Sequence, residues 1–338
     1  MSPLAEILRL EILRAGPISF HRFMEAALYD PQFGYYRRRL GIDDASTPAG
    51  PTSARDPFGM HGDFFTAEQL QPVFGILIAE RMRQLRQRWG DPRDFTIVEL
   101  GAGRGEMAEA FSEFQYVPLE AGEGDLPERF CGVVFSNEFF DALPVDVLVL
   151  RGGRAQELRV GFENGRFSWV ETGSLPDEVE CYRKKYLGTL TEGQIIEVSL
   201  KALRWLERTA VSLEFGCVMT IDYGYTSAEL PRFPQGTLMS YRRHQAIENV
   251  LDDPGGQDIT AHVCFTALEE YGKELGLRTE LFETLGRTLL RAGESDDFAR
   301  ALRADSPAEE MRRRMQLKQL LYGLGETFRT LLQTKEKG

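Results

Sequence analysis

Residues 97–107 read IVELGAGRGEM, and this stretch decides the fold class. A short β-branched run over 95–100 delivers Glu99, then Gly101, Gly103 and Gly105 open a segment, 106–114, with the composition of a helix. Glycines at a strand-to-helix junction permit a tight turn and let a ligand approach bare backbone. A helix beyond such a turn presents unpaired N–H groups and a positive dipole end, which favour a carboxylate or a phosphate. A dinucleotide-binding turn spaces its glycines G-x-G-x-x-G. Here the pattern is G-x-G-x-G with an acid two residues before the first glycine, so the dinucleotide reading does not fit.

Outward from this turn, YVPLE at 116–120, CGVVFSN at 131–137 and CVMTIDYGY at 217–225 also read as strands. Helical patterns lie between them, at 106–114 and at 199–216 up to Gly216. Strands alternating with helices predict an α/β fold with a parallel, doubly wound sheet. Residues 145–153 and 156–171 predict an inserted antiparallel hairpin turning at Asn164-Gly165. On the N-terminal side, residues 3–14 have helical spacing stopped by Gly16-Pro17, and Ser19 is placed to cap a second helix. A Gly-, Pro-, Ser- and Asp-rich loop covers 41–67, and 67–91 predicts a long amphipathic helix kinked at Pro72. The tail from 306 to 332 predicts helix. The expected division is an N-terminal helical and flap region over 1–90, a core over 91–225 with the hairpin at 145–172, and a C-terminal part over 226–338.

Composition narrows the function. The 338-residue chain is 42% hydrophobic and 27% charged, ordinary for a soluble globular protein. A net charge of −12 disfavours a broad nucleic-acid surface, which needs clustered Lys and Arg, and leaves a basic peptide or protein open as partner. Cys131, Cys181, Cys217 and Cys264 form no C-x-x-C pair, and the histidines are scattered, so neither a metal site nor a disulfide framework is signalled. No apolar run reaches the roughly 18–20 residues of a membrane span. The first twenty residues, with Glu6 and Glu11, read as neither signal nor transit peptide, which makes the cytoplasm the expected location.

The acid-Leu-Gly-x-Gly-x-Gly turn resembles motif I of the class I S-adenosylmethionine-dependent methyltransferases. The resemblance implies that Glu99, Gly101, Gly103 and Gly105 hold the amino-acid end of S-adenosyl-L-methionine. An adenosine ligand also calls for an acid about 20 residues on to accept from the ribose hydroxyls. Glu120 stands near that distance, with Glu123 and Asp125 as competitors.

A second stretch, SNEFFDALPVD at 136–146, follows the strand 131–137 and packs Asn137, Glu138 and Asp141 at its exit. Such a cluster either caps a helix or carries chemistry. SNEFFDALPV, HGDFFTAEQLQPVFG, IDYGY, GTLMSYRRH and GGQDITAHVCFTALEEYG resemble the MidA-type methyltransferases, as do GPISFHRFMEAALYDPQFGYY at the N-terminus and GLGETFRTL near the C-terminus. These are a bacterial and mitochondrial family whose mitochondrial branch assists assembly of respiratory complex I. The resemblance spans nearly the whole chain. It implies a protein substrate, in the mitochondrial branch a respiratory-complex subunit, methylated on an arginine side chain.

Arginine chemistry agrees with the strand exit. A guanidinium is a poor nucleophile because its proton and delocalised charge occupy the nitrogen electrons. Two carboxylates can bind it as a fork and localise that charge, and one can accept a proton. Glu138 and Asp141 are the candidates, with Asn137 orienting the target nitrogen; for Asp141 a helix cap is the competing role. Gly62, Asp63 and Phe64 lie in a loop that reads as a flap over the cofactor, with Asp63 toward its ammonium and Phe64 or Phe65 excluding water. Asp222 ends its strand where a cleft belongs, or simply opens a turn. His262 is either a polar cleft residue or a structural one.

One departure stands out. The segment 121–130 is too short for the helix and third strand that a full methyltransferase core places there, so the adenine side is expected to be abbreviated, open, or covered by another segment. Two alternatives stay open at this point: a small-molecule or nucleobase N-methyltransferase, and a non-catalytic assembly factor built on the same core.

Overall fold

The computed structural model describes residues 1–39, 70–122, 124–242, 245–247 and 249–337. The chain divides into two compact units, both discontinuous: 1–65, 142–202 and 225–267 form the first, and 66–141, 203–224 and 268–338 the second. This differs from the consecutive three-part division expected from sequence. The segment expected as an insertion in the core belongs with the N-terminal helices, because its strands bury their apolar faces there.

The second unit is built on six strands: β1 (Thr96–Leu100), β2 (Gln115–Leu119), β3 (Phe130–Asn137), β4 (Leu213–Asp222), β5 (Arg278–Thr284) and β6 (Arg329–Lys335). They lie in the order β5-β6-β4-β3-β1-β2. The four strands from β4 to β2 are parallel, and β6 and β5 are antiparallel additions. Every residue of β1 and β3 is buried, as continuous apolar strands of a parallel sheet must be. One face, with Ile97, Phe135, Met219 and Leu332, packs against the helices Val73–Arg88 and Leu285–Gly293. On the other, the Gln333 side-chain amide donates to the Leu268 carbonyl of the helix Phe265–Glu274 at 3.2 Å. The doubly wound α/β class expected from sequence is the one observed. The parallel strands bring Leu100, Leu119, Asn137 and Asp222 to one edge, where α/β sheets bind ligands.

The first unit has helices at Pro3–Ala15 and Phe20–Tyr29, the latter capped by Ser19, whose hydroxyl accepts from the Arg22 N–H at 3.1 Å. They pack on a five-stranded antiparallel sheet that contains the expected hairpin, Arg154–Glu163 with Arg166–Thr172, turning at Asn164-Gly165. No helix among the described residues is long and apolar enough to cross a membrane.

Three element boundaries depart from the sequence reading. The helix expected to run through Pro72 begins after it, at Val73. Proline cannot donate within a helix, and Gln71 Oε1 instead accepts from the Gly75 N–H at 3.2 Å. The helix expected to reach Gly216 ends at Ser212, because Leu213 already pairs with Phe130 in the sheet. In the tail, the helix Pro307–Gln319 gives way to β6, whose apolar middle fills the gap between β4 and β5.

A close approach fixes the spacing of the parallel strands. Gly132 of β3 pairs with Thr96 of β1 on one side and Gly216 of β4 on the other. A Cβ on Gly132 would stand 1.9 Å from the Thr96 carbonyl oxygen, and one on Gly216 2.0 Å from the Gly132 carbonyl oxygen. Both glycines also hold φ values, 149° and 133°, that other residues avoid. Gly132→Ala is therefore expected to lower stability by about 3 kcal/mol or more. Gly173→Ala, where a Cβ meets nothing within 4 Å, should stay within about 0.5 kcal/mol of wild type. Thermal denaturation of the two variants checks the contrast.

Candidate cofactor and active site

The glycine turn lies at the carboxyl end of β1, with φ of 76°, 59° and 76° at Gly101, Gly103 and Gly105. The Gly101 and Ala102 N–H groups donate to the Leu119 carbonyl at 2.7 and 3.3 Å, tying the turn to the end of β2. The Gly103 N–H donates to Glu120 Oε1 at 2.6 Å, the Arg104 N–H to Glu106 Oε2 at 2.9 Å, and the Gly105 N–H to the Ala102 carbonyl at 2.8 Å. The unpaired N–H groups expected at this junction are thus occupied by the protein itself. The expected helix over 106–114 is also replaced by a run of turns. The bonds Ala108 to Gly105, Ser112 to Glu109 and Phe114 to Phe111 span three residues, and Phe111 to Met107 spans four. Without a regular helix there is little aligned dipole to hold an anion.

What the turn offers is negative charge. Glu99 is 1% exposed. Burial is the largest influence on it and raises its pKa to about 7; the Tyr116 hydroxyl, donating to its Oε2 at 2.5 Å, pulls the other way, and the charges of Glu106 and Glu120 raise it further. A buried carboxylate with acids for neighbours gains from a cation. S-adenosyl-L-methionine brings an ammonium, a sulfonium and two ribose hydroxyls, so this set of acceptors fits it. Glu120 stands beside Gly103. Its competitor Asp125 is fully exposed, with Arg208 at 3.7 Å, and Glu123 lies outside the described residues. Between β2 and β3 the described residues form neither helix nor strand, so β2 is the edge of the sheet.

The second wall is the exit of β3. Asn137 is buried, and its side-chain amide donates to Glu138 Oε1 at 3.3 Å. Glu138 adopts φ 52°, and its N–H donates to the Ile221 carbonyl at 3.0 Å. A positive φ at a non-glycine residue is held by its surroundings and is common at functional sites. No helix follows, so Asp141 has none to cap. It is buried instead and accepts from the Tyr223 hydroxyl. The capping is done by Asp222, which is fully buried. Its Oδ2 accepts from the Phe140 and Asp141 N–H groups at 3.1 and 3.3 Å, and its Oδ1 from the Tyr223 N–H at 2.9 Å. Burial, then the charges of Asp141 and Glu138, push the Asp222 pKa well above the carboxylate range despite these donors.

Phe139 joins the two walls. Its Cδ2 lies 2.9 Å from where a Gly101 Cβ would stand, and its ring meets Trp205 edge-on at 5.3 Å. Glu99, Gly101, Gly103, Gly105, Glu120, Asn137, Glu138 and Asp141 therefore all gather at one edge of one sheet, together with Asp222 and Tyr223. Gly62, Asp63 and Phe64 lie outside the described residues. His262 belongs to the first unit, where its N–H donates to Thr237 Oγ1 at 3.0 Å and its ring meets Phe233 edge-on, a structural setting.

Residues 119–283 match a family model described as "Putative S-adenosyl-L-methionine-dependent methyltransferase". A Burkholderia thailandensis protein crystallised with S-adenosyl-homocysteine superposes with a TM-score of 0.83 at 28% identity, covering 99% of this chain and 92% of that one. Over residues 119–283 the chain is similar to this S-adenosyl-L-methionine-dependent methyltransferase family, and its whole fold matches that of the crystallised protein. Its relatives include the Drosophila melanogaster protein named "Protein arginine methyltransferase NDUFAF7 homolog, mitochondrial", 27% identical over 81% of this chain and 70% of that one. The human protein arginine methyltransferase NDUFAF7 is 22% identical over 79% of this chain and 68% of its own length. The cofactor of this methyltransferase is S-adenosyl-L-methionine, in agreement with the acceptors around its glycine turn.

The ionisation of Glu99 gives a stability signature. Its folded pKa, about 7, is above the ordinary value of 4.5. The folded state therefore holds this proton more tightly than the unfolded chain, and the associated stability, full below pH 4.5, is lost as pH rises through about 7. Glu99→Gln, which never ionises, should be more stable than wild type at pH 8 by on the order of 2 kcal/mol. The difference should close toward pH 5. Urea denaturation of the ligand-free protein at the two pH values measures it.

Proposed function

We propose that this methyltransferase acts on the side chain of an arginine in a protein, with Glu138 as the residue that binds the guanidinium. The observation carrying this reading is the exit of β3. A partly exposed carboxylate is set at φ 52° by a backbone bond to Ile221 and touched by the Asn137 amide, and the buried acids Asp141 and Asp222 lie behind it. Carboxylates that raise one another's pKa are relieved by a cation, and a guanidinium is a permanent one with a fork of donors. The names of the relatives, protein arginine methyltransferases in fly and man, support the same substrate. The net charge of −12 suits a basic partner.

In this reading the glycine turn, Glu99 and Glu120 hold the cofactor. S-adenosyl-L-methionine supplies an electrophilic methyl group when bound. Glu138 pairs with the guanidinium, draws its positive charge toward one side, and accepts the proton that the target nitrogen must lose. Asn137 keeps the Glu138 carboxylate turned by its amide bond. Asp141, fixed by the Tyr223 hydroxyl, and Asp222, fixed by three backbone N–H groups, add negative potential and hold the bend that aims Glu138. The fork expected from sequence, Glu138 with Asp141, becomes one accessible carboxylate with buried acids behind it.

Glu138→Gln keeps the shape and the Asn137 contact but removes the charge and the base. Transfer of labelled methyl from the cofactor into protein of a cognate lysate should fall by about 10²-fold or more. Affinity for S-adenosylhomocysteine should stay within about threefold, because Glu138 stands on the substrate wall. Label that collects in the small-molecule fraction, or transfer unchanged in Glu138→Gln, would overturn the arginine assignment.

A further inference from the structure

We propose that Tyr116 is a positioning residue for the cofactor: its hydroxyl holds the Glu99 carboxylate for the ligand's ammonium, so that binding expels a proton from Glu99 to solvent. The inference rests on the reading of the glycine turn as the cofactor site.

The geometry is set by two neighbouring parallel strands. Glu99 of β1 pairs in register with Pro118 of β2, and Tyr116 stands two residues earlier on β2, on the same face. From there the phenol reaches Glu99 Oε2 at 2.5 Å. The ring is fixed against Phe111, at 5.7 Å between centroids. One carboxylate oxygen is thereby pinned, and the carboxylate lies two residues before Gly101, where the turn begins.

The groups that act on Glu99 come from three segments: Tyr116 on β2, Glu106 in the turns after the glycines, and Glu120 beyond β2. The two acids oppose its ionisation together with burial, and the phenol alone favours it. The ligand-free site therefore keeps a proton on Glu99 up to about pH 7. An ammonium placed there reverses the balance, since it stabilises the carboxylate and is repelled by nothing in the set. The bookkeeping is simple: the O–H bond of Glu99 breaks, its proton goes to buffer, and an ion pair replaces it. Tyr116 keeps its own proton throughout, as a donor.

Calorimetric titration of the full-length protein with S-adenosylhomocysteine, which carries the ammonium but no sulfonium, tests this. It is run from pH 6 to pH 8 in buffers of different ionisation enthalpy. With Glu99 titrating at about 7, the dissociation constant should fall about tenfold from pH 6 to pH 8, and up to one proton should be released at the lower pH. Tyr116→Phe retains the ring but loses the hydrogen bond. Its pH midpoint should move up by about one unit, which weakens binding about fivefold at pH 7 and much less above pH 8.5. A purely structural role for Tyr116 would weaken binding equally at all pH values, and that result overturns the proposal. Binding without proton release, or with an affinity independent of pH, overturns it too and leaves the cofactor site standing. Failure of the wild-type protein to bind S-adenosylhomocysteine at millimolar concentration, at any pH, would overturn both.

Discussion

The site depends on one buried carboxylate that performs no chemistry. Asp222 ends β4 with no exposure and accepts from the N–H groups of Phe140, Asp141 and Tyr223. A strand that stops inside a protein leaves backbone donors that must be paired, at a penalty of about 1–3 kcal/mol for each one that is not. No helix follows β3 to do this. Asp222 takes its place and pulls residues 138–141 into a bend across the end of its own strand. The bend sets the φ of 52° at Glu138 and seats the Phe139 ring against Gly101. The strand-exit wall, and through Phe139 the glycine turn, are thus shaped by one residue.

The same edge of the sheet concentrates charge that the fold alone does not need. Glu99 and Asp222 are both buried acids whose ionisation is resisted first by burial and then by neighbouring carboxylates. For stability this is unfavourable, since apolar residues would fill the same space without a desolvation cost. For a site that receives a cationic cofactor it is the right arrangement.

How much of this could be read in the sequence follows from the range of each interaction. The glycine turn was legible because strand, acid and glycines are contiguous. So was the brevity of the segment after Glu120, because a helix and a strand need a minimum length of chain. The ends of β4 and β6 were not. LEFG and RTLLQ are apolar runs that fit helix or strand equally, and only pairing with Phe130 and with β5 decides. The surroundings of Asp141 are hidden from the sequence for a related reason. The local pattern leaves it as a cleft acid or a helix cap, whereas the acid that caps this stretch lies 81 residues further along the chain. The turns over 103–113 follow from the same limit. Their composition favours helix, but tertiary bonds at Leu119 and Glu120 fix the start of the segment.

These bonds also explain how the core works without the strand missing beyond β2. In this chain the edge strand carries the contacts itself. The Leu119 carbonyl accepts from both Gly101 and Ala102, and the next residue, Glu120, accepts from Gly103. Tyr116, earlier on the same strand, holds Glu99. A single short strand therefore shapes the turn from one side and pins its acid from the other, and neither contact requires anything beyond residue 120. The chain is then free to cross from β2 to β3 by the shortest route. The abbreviation falls beyond the edge strand, while the acids and glycines of the candidate site all belong to the four parallel strands and their exits.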